Sequence, residues 1–172
     1  MKKVVVISGK SGVGKDTVIN NLDDFERFAS LTTRPKRTGE KDGDKYWFLN
    51  ENDFLKEKRN GRLLDTVNIS GYYYGFPIDD FLEKKNGLWA LNLIPESGLL
   101  VKRIINDTNL IYLELDTKTQ ITRMRARGMT EYEIGIRLRN DPNPDKKPKY
   151  YDYKFINNES IETAKMIGKK WR

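Results

Sequence analysis

The chain of 172 residues has no cysteine and no histidine. Without cysteine there are no disulfides and no thiolate chemistry. Without histidine, most hydrolytic triads, histidine general bases and most zinc sites are excluded. No apolar run is long enough to span a bilayer. The opening "MKKVVVISG" is too short in its apolar part for a signal peptide and fits a β-strand, so a cytoplasmic protein is expected. Any chemistry must run on lysine, arginine, carboxylates, hydroxyls and backbone amides.

What is present is charge. The 32 basic residues exceed the 25 acidic ones, for a net +7. A surplus of this kind suits an anionic partner; a solvated basic surface, nucleic acid and nucleotides are the three options, and the placement of the arginines decides among them. The length suits one domain with a real core.

Strand and helix alternate at both ends. "KVVVIS" (3–8) reads as a buried parallel strand, followed by a glycine loop and a helix over 15–23. The stretch 30–44 reads as loop, 45–49 as a short strand, and 51–61 as a helix closed by Gly61. Strands are expected at 63–69 and 72–75 around a turn at Ser70-Gly71, and a helix over 78–87. Further strands are expected at 88–93, 109–115 and 152–157, with helices at 96–106, 117–127, 130–139 and 159–170. The pattern argues an α/β fold: a parallel sheet flanked by helices, with a mixed, strand-rich lobe inserted at about 33–76.

Two motifs carry the chemistry. In "SGKSGVGKDT" (8–17), Gly9, Gly12 and Gly14 let backbone N–H groups converge, the next helix adds its positive end, and Lys15 supplies a charge for β- and γ-phosphates. The usual hydroxyl after the lysine is replaced by Asp16, with Thr17 one place later. In "SLTTRPKRTGEKDGDKYWFL" (30–49), Arg34 and Arg37, with Pro35 stiffening the chain and Tyr46 following, suit one phosphate dianion gripped from several sides. Farther on, Arg123 and Arg127 share a helix face, and like charges so placed favour an anion that joins them.

These stretches resemble the guanylate kinase family. The similarity runs through "GRLLDTVNISGYYYG" (61–75), "RMRARG" (123–128), "IRLRN" (136–140) and "FINNE" (155–159), and covers nearly the whole chain. It implies a P-loop kinase of one domain: a core (about 1–32, 77–122 and 150–172), a lobe for the nucleoside monophosphate (33–76) and a helical lid (123–149) pivoting near Gly128 and Gly135. It implies transfer of a phosphoryl group from ATP, with Mg2+, to a guanine nucleoside monophosphate. By position, Arg34, Arg37, Tyr46 and Tyr74 hold the acceptor phosphate, while Ser30, Asp65, Gly75 and Phe76 line the base side. Gly9, Ser11, Gly12, Val13, Gly14, Lys15, Asp16 and Thr17 cradle ATP, Arg127 and Arg137 close from the lid, and Asn157 lies near the adenine. Lys15 and the four arginines Arg34, Arg37, Arg127 and Arg137 are the expected catalytic set. Chemistry agrees: the acceptor is a phosphate monoester with a second pKa of about 6, already mostly dianionic at neutral pH, so no strong base is needed.

Three positions depart from the family. Asp65 stands where Glu is usual. Phe76 replaces a small hydroxyl residue, and either stacks on the base or fills the core. After "LWALNL" an acidic residue is missing, with Asn92, Leu93, Ile94 and Pro95 in its place and Glu96 the next carboxylate. The expectation is that Asp16 replaces the lost groups as a magnesium ligand; the alternative is that it only complements its helix end. The changed base side leaves a broader deoxynucleoside monophosphate kinase open beside GMP or dGMP, and a non-catalytic binding module is the option from another class. "DKKPKYYDYK" (145–154) has the basic-aromatic mix of single-strand binders, but is expected on the adenine side or beneath the lid. Nucleotides, not nucleic acid or membranes, are the expected partners.

Overall fold

A computed structural model of the chain describes residues 1–140 and 150–171. The proline-rich loop expected at 140–149 and the end of the expected lid fall almost wholly outside the described residues.

Five parallel strands form the main sheet in the order β2 (Phe25–Arg27), β7 (Gly87–Asn92), β1 (Lys2–Gly9), β8 (Thr108–Glu114) and β9 (Tyr153–Ile156). β1 takes the centre because its apolar run has two faces to bury, as inner parallel strands do. The pleat then sorts its residues. Val5 and Ile7 join Val18, Ile19, Ala164 and Ile167, from helices α1 (Lys15–Asn20) and α7 (Ser160–Trp171). Val4 and Val6 face the other way, with Phe76, Phe81, Trp89, Leu91 and Val101. Val101 belongs to helix α4 (Pro95–Ile104) and Phe81 to the short helix α3 (Ile78–Leu82).

A second sheet, in the order β4 (Tyr46–Phe48), β3 (Ser30–Thr32), β6 (Tyr72–Pro77) and β5 (Leu63–Ile69), is mixed parallel and antiparallel. It starts at Ser30, three residues before the segment read as an insertion. Helix α2 (Glu51–Arg59) leads into β5, its start capped by the Asn50 side chain accepting from Asp53 N. β5 and β6 meet at Ser70 (φ 54°) and Gly71 (φ 86°), both left-handed, as a two-residue hairpin turn requires.

Helix α5 (Thr117–Ala126) is capped by Asp116, which accepts from Thr119 N. It ends where Gly128 turns left-handed (φ 77°). Helix α6 (Glu131–Asn140) restarts on a reciprocal cap: Thr130 N donates to Glu133 and Glu133 N donates to the Thr130 hydroxyl.

Several elements differ from expectation. α1 stops at Asn20 rather than at 23, because the chain turns at Asp24 (φ 69°) to enter β2. α3 ends at Leu82 rather than 87. β2 and β3 were not expected; each is three residues long. Such short strands are held by their neighbours rather than by an apolar pattern of their own. Among the described residues no helix is long and apolar enough to cross a membrane.

α4 lies close on the sheet at Gly98, where a methyl group would come within 3.0 Å of Val6 Cγ1 and 3.1 Å of Leu110 Cδ2. Gly98→Ala is expected to cost about 1–3 kcal/mol of stability by overpacking, read as a lower midpoint in urea unfolding with an unchanged slope.

Candidate active site

The site gathers at the carboxyl ends of the parallel strands, where open α/β sheets place ligands. The glycine loop leaves β1 and enters α1 at Gly14, which is left-handed (φ 99°). A Cβ there would come within 2.8 Å of both Asn157 Nδ2 and Ser160 Oγ, so only glycine fits. At Gly9 (φ 147°) a Cβ would meet the Leu113 carbonyl at 2.5 Å. The loop is braced from below. Asn157, fully buried, donates to the Val13 carbonyl at 2.6 Å and to Ser160 Oγ at 3.0 Å. Arg123 donates to the same Val13 carbonyl at 3.1 Å and to the Asn158 carbonyl at 2.6 Å. Lys15 reaches back over the loop, its Nζ donating to the carbonyls of Gly9 (2.8 Å) and Lys10 (2.9 Å).

Asp16 is the hub of the far side. Its Oδ1 accepts from Arg27 Nη2 at 2.6 Å and from Asn92 Nδ2 at 3.2 Å. Two of the family departures, Asp16 and Asn92, thus touch each other. Burial opposes the charge on Asp16, but the Arg27 guanidinium, then Lys45 and Lys15, outweigh it and hold the carboxyl below its ordinary value. No cluster of three or more acidic side chains able to hold a metal ion occurs among the described residues. These residues fit a divalent cation as magnesium commonly binds, through nucleotide phosphates and water with few protein carboxylates; Asp16, at the start of α1, is a carboxylate beside the loop.

Just past β3, Arg34 is buried. Its Nη2 donates to both oxygens of Glu40 at 2.9 Å and Nη1 donates to the Pro35 carbonyl at 2.6 Å. The guanidinium lies over the rings of Tyr46 (5.6 Å) and Phe48 (5.3 Å). Glu40 also accepts from Arg37 N at 2.8 Å. Burial opposes its charge, while the Arg37 amide and the Arg34 fork hold the carboxyl below its ordinary value. Tyr46 and Tyr74 meet edge to face at 5.8 Å. Burial pushes the Tyr46 phenol well above its ordinary value, Asp16 and Tyr74 add to this, and Arg27 and Arg34 oppose it. Tyr46 thus feels charges from both the Asp16 end of the loop and the Arg34 pocket, and its phenol stays protonated.

On the base side, Ser30 is buried on β3, paired in register with Tyr46. Asp65 on β5 accepts from Thr66 N (2.7 Å) and from Ser97 Oγ on α4 (2.8 Å). Gly75 packs under Leu63 and Phe54, with no room for a side chain. Phe76 corrects the expected base contact. It is 2 % exposed and packs against Phe28 and Phe81, at 5.6 and 5.4 Å. Of its two possible roles it takes the core one, because β6 turns this side of its pleat toward the main sheet.

Of the lid arginines, Arg137 on α6 and Arg37 both lie near Glu133 and help to hold that carboxyl below its ordinary value, after the hydrogen bonds from Thr130. Arg127 is exposed at the end of α5; it is Arg123, one turn earlier, that reaches the loop. Asn157 is buried and bonded to the loop at the Val13 carbonyl. Arg27, Glu40 and Ser97 are functional candidates that sequence reasoning passed over, and Arg123 is one it named on a helix face but gave no place in the site. Only Arg123 and Glu40 had a signal, the first as the partner of Arg127 on one helix face and the second as an acid among arginines.

Comparison with known proteins follows the same lines. A family model described as guanylate kinase matches residues 1–166. The chain is 33 % identical over 175 residues to the guanylate kinase of Aster yellows witches'-broom phytoplasma, covering 95 % of this chain and 82 % of that one. It is 32 % identical over 177 residues to that of Prochlorococcus marinus strain MIT 9312, covering 98 % and 96 %. Its fold is similar to the crystal structure of guanylate kinase from Anaplasma phagocytophilum, with a TM-score of 0.70 at 24 % identity over 99 % of this chain and 85 % of that one.

The Asp16–Arg27 pair has a pH signature. Because the folded carboxyl is held below its ordinary value of about 3.9, its stabilisation is complete above that value and is lost as pH falls through the lowered one. Asp16→Asn is expected to cost roughly 1–2 kcal/mol at neutral pH, between an exposed and a buried pair. The gap from wild type should close in strongly acidic urea-unfolding series.

Proposed function

The chain belongs to the guanylate kinase family, and from that premise we propose that it transfers the γ-phosphoryl group of ATP to GMP or dGMP. The observation that supports this is Tyr46, whose ring lies under the Arg34 guanidinium and whose phenol feels the Asp16 carboxylate beside the glycine loop, so that the two candidate phosphate-binding halves are neighbours. The loop amides and Lys15 hold the donor's phosphates, Lys15 exchanging its bonds to the Gly9 and Lys10 carbonyls for phosphate oxygens. Arg34, Arg37, Tyr46 and Tyr74 hold the acceptor phosphate. That dianion takes from Arg34 and the Arg37 amide the place the Glu40 carboxylate fills in its absence, so one anion replaces another on a donor set already built. Asp16 would hold magnesium together with phosphate oxygens and water, and the ion would supply charge shielding at the donor phosphates.

In-line transfer asks for alignment and charge compensation rather than proton removal. Arg137 and Arg127 supply further charge from the 123–149 segment, the first already facing Arg37 across Glu133. Asn157 and Arg123 act on ATP through the loop, by fixing the Val13 carbonyl. In this reading the parallel core, the 33–76 lobe and the 123–149 lid are the working parts of one domain. On the base side, Asp65 accepts from guanine N1–H and the N2 amino group, beside Ser30. One observation favours a second reading, a broader deoxynucleoside monophosphate kinase: with Phe76 withdrawn into the core, base selection falls on fewer groups.

Two measurements test this. With ATP, magnesium and each common ribo- and deoxyribonucleoside monophosphate, ADP release should be confined to guanine; release across several bases supports the second reading, and none with any base removes the kinase assignment. Lys15→Met should lower turnover roughly a hundred- to a thousandfold, and Asp16→Ala should raise the magnesium needed for half-maximal turnover about tenfold. An unchanged magnesium dependence in that variant leaves Asp16 only its helix-end and Arg27 roles.

A further inference from the structure

Asp65 lies at a fault in the sheet. The β5–β6 register runs Leu63↔Pro77 and resumes at Thr66↔Gly75. That is three steps along β5 against two along β6, so β5 carries one extra residue. A bulge of this kind re-aims a side chain, and here the carboxylate turns toward α4. Its two oxygens are each held by one donor, Oδ1 by Thr66 N at 2.7 Å and Oδ2 by Ser97 Oγ at 2.8 Å. Ser97 is 5 % exposed and stands in the first turn of α4. The next residue, Gly98, is where that helix approaches Val6 and Leu110 too closely for a methyl group. The hydroxyl is therefore carried on a helix seated firmly against the central strand.

We propose that Ser97 is a positioning residue for the acceptor's base, resting on the kinase assignment above. A carboxylate has about four lone-pair sites, and Ser97 and Thr66 use two of them. The fixed carboxylate is left with an acceptor position on each oxygen, side by side. A purine edge with two adjacent N–H donors, as guanine has at N1 and N2, satisfies both. Adenine and cytosine each place a ring acceptor beside their exocyclic amine and leave one oxygen facing a lone pair. The shorter Asp side chain, in place of Glu, is thus compensated by a bulge that aims it and a hydroxyl that locks it. Without the hydroxyl, Asp65 regains rotation that guanine binding must remove.

The test is steady-state kinetics of Ser97→Ala and Ser97→Cys, the latter close in volume but a weak donor, with melting temperatures to establish folding. The expected result is a KM for GMP raised about tenfold, with kcat and the KM for ATP each within about twofold of wild type. In an Asp65→Ala background, Ser97→Ala should add nothing. A KM for GMP within twofold of wild type in both variants overturns the proposal. So does an equal rise in KM for ATP and GMP, or a full Ser97→Ala effect in the Asp65→Ala background, since each marks a merely structural serine. A wild-type protein that phosphorylates no nucleoside monophosphate fails at the earlier step and removes the kinase assignment with this proposal.

Discussion

Positive charge gathered in one region repels itself, and the folded chain must balance it from within. The structure meets that constraint with internal anions and dipoles set against each cation. Lys15 rests on two loop carbonyls, Arg27 on Asp16, and Arg34 on both oxygens of Glu40. These are charge-assisted bonds of good geometry, so the unliganded site is stable without being idle. Binding then replaces one acceptor by another instead of stripping bare cations of water. The desolvation that usually opposes forming such a site has been met during folding.

The same logic explains why the site stands at one end of the sheet. Most groups around the loop leave the carboxyl end of a parallel strand: the loop itself from β1, Asn92 from β7, Arg27 from β2, and Asn157 just past β9, with Arg123 of α5 and Ser160 of α7 added from helices. Parallel pairing forces these ends together, and the buried apolar faces of β1 keep them there. The second sheet brings Arg34, Tyr46, Tyr74 and Asp65 from a different direction. The aromatic contact between Tyr46 and Tyr74 and the Ser97–Asp65 bond tie it internally and to the core.

Much of this was legible in the sequence because it depends on local patterns. The continuous apolar run at 3–8, the glycine spacing at 9–14 and the left-handed turn at Ser70-Gly71 each dictate a backbone whatever surrounds them. The arginine-rich segment after Ser30 suggested an anion site only through its resemblance to a family, since its composition alone suits a solvated basic loop equally. What stayed hidden was non-local. β2 and β3 are three-residue strands whose existence depends on neighbours. Arg27 sits in "FERF", where nothing in the string says that its guanidinium meets Asp16 eleven residues earlier. The pairing of Ser97 with Asp65 spans 32 residues and needs a bulge that no alternation pattern reveals. Phe76 follows a glycine in a nucleotide-binding segment, and only the pleat of β6 decides that it turns inward.

The bracing of the loop carries a consequence for synthesis. Val13 is held by Asn157 and Arg123, and Gly14 is pressed by Ser160. The motif is thus completed by residues translated much later, 144 positions on in the case of Asn157. A nascent chain with its early strands already paired still lacks the braces of its glycine loop. The loop is fully held only when β9 has docked beside β8.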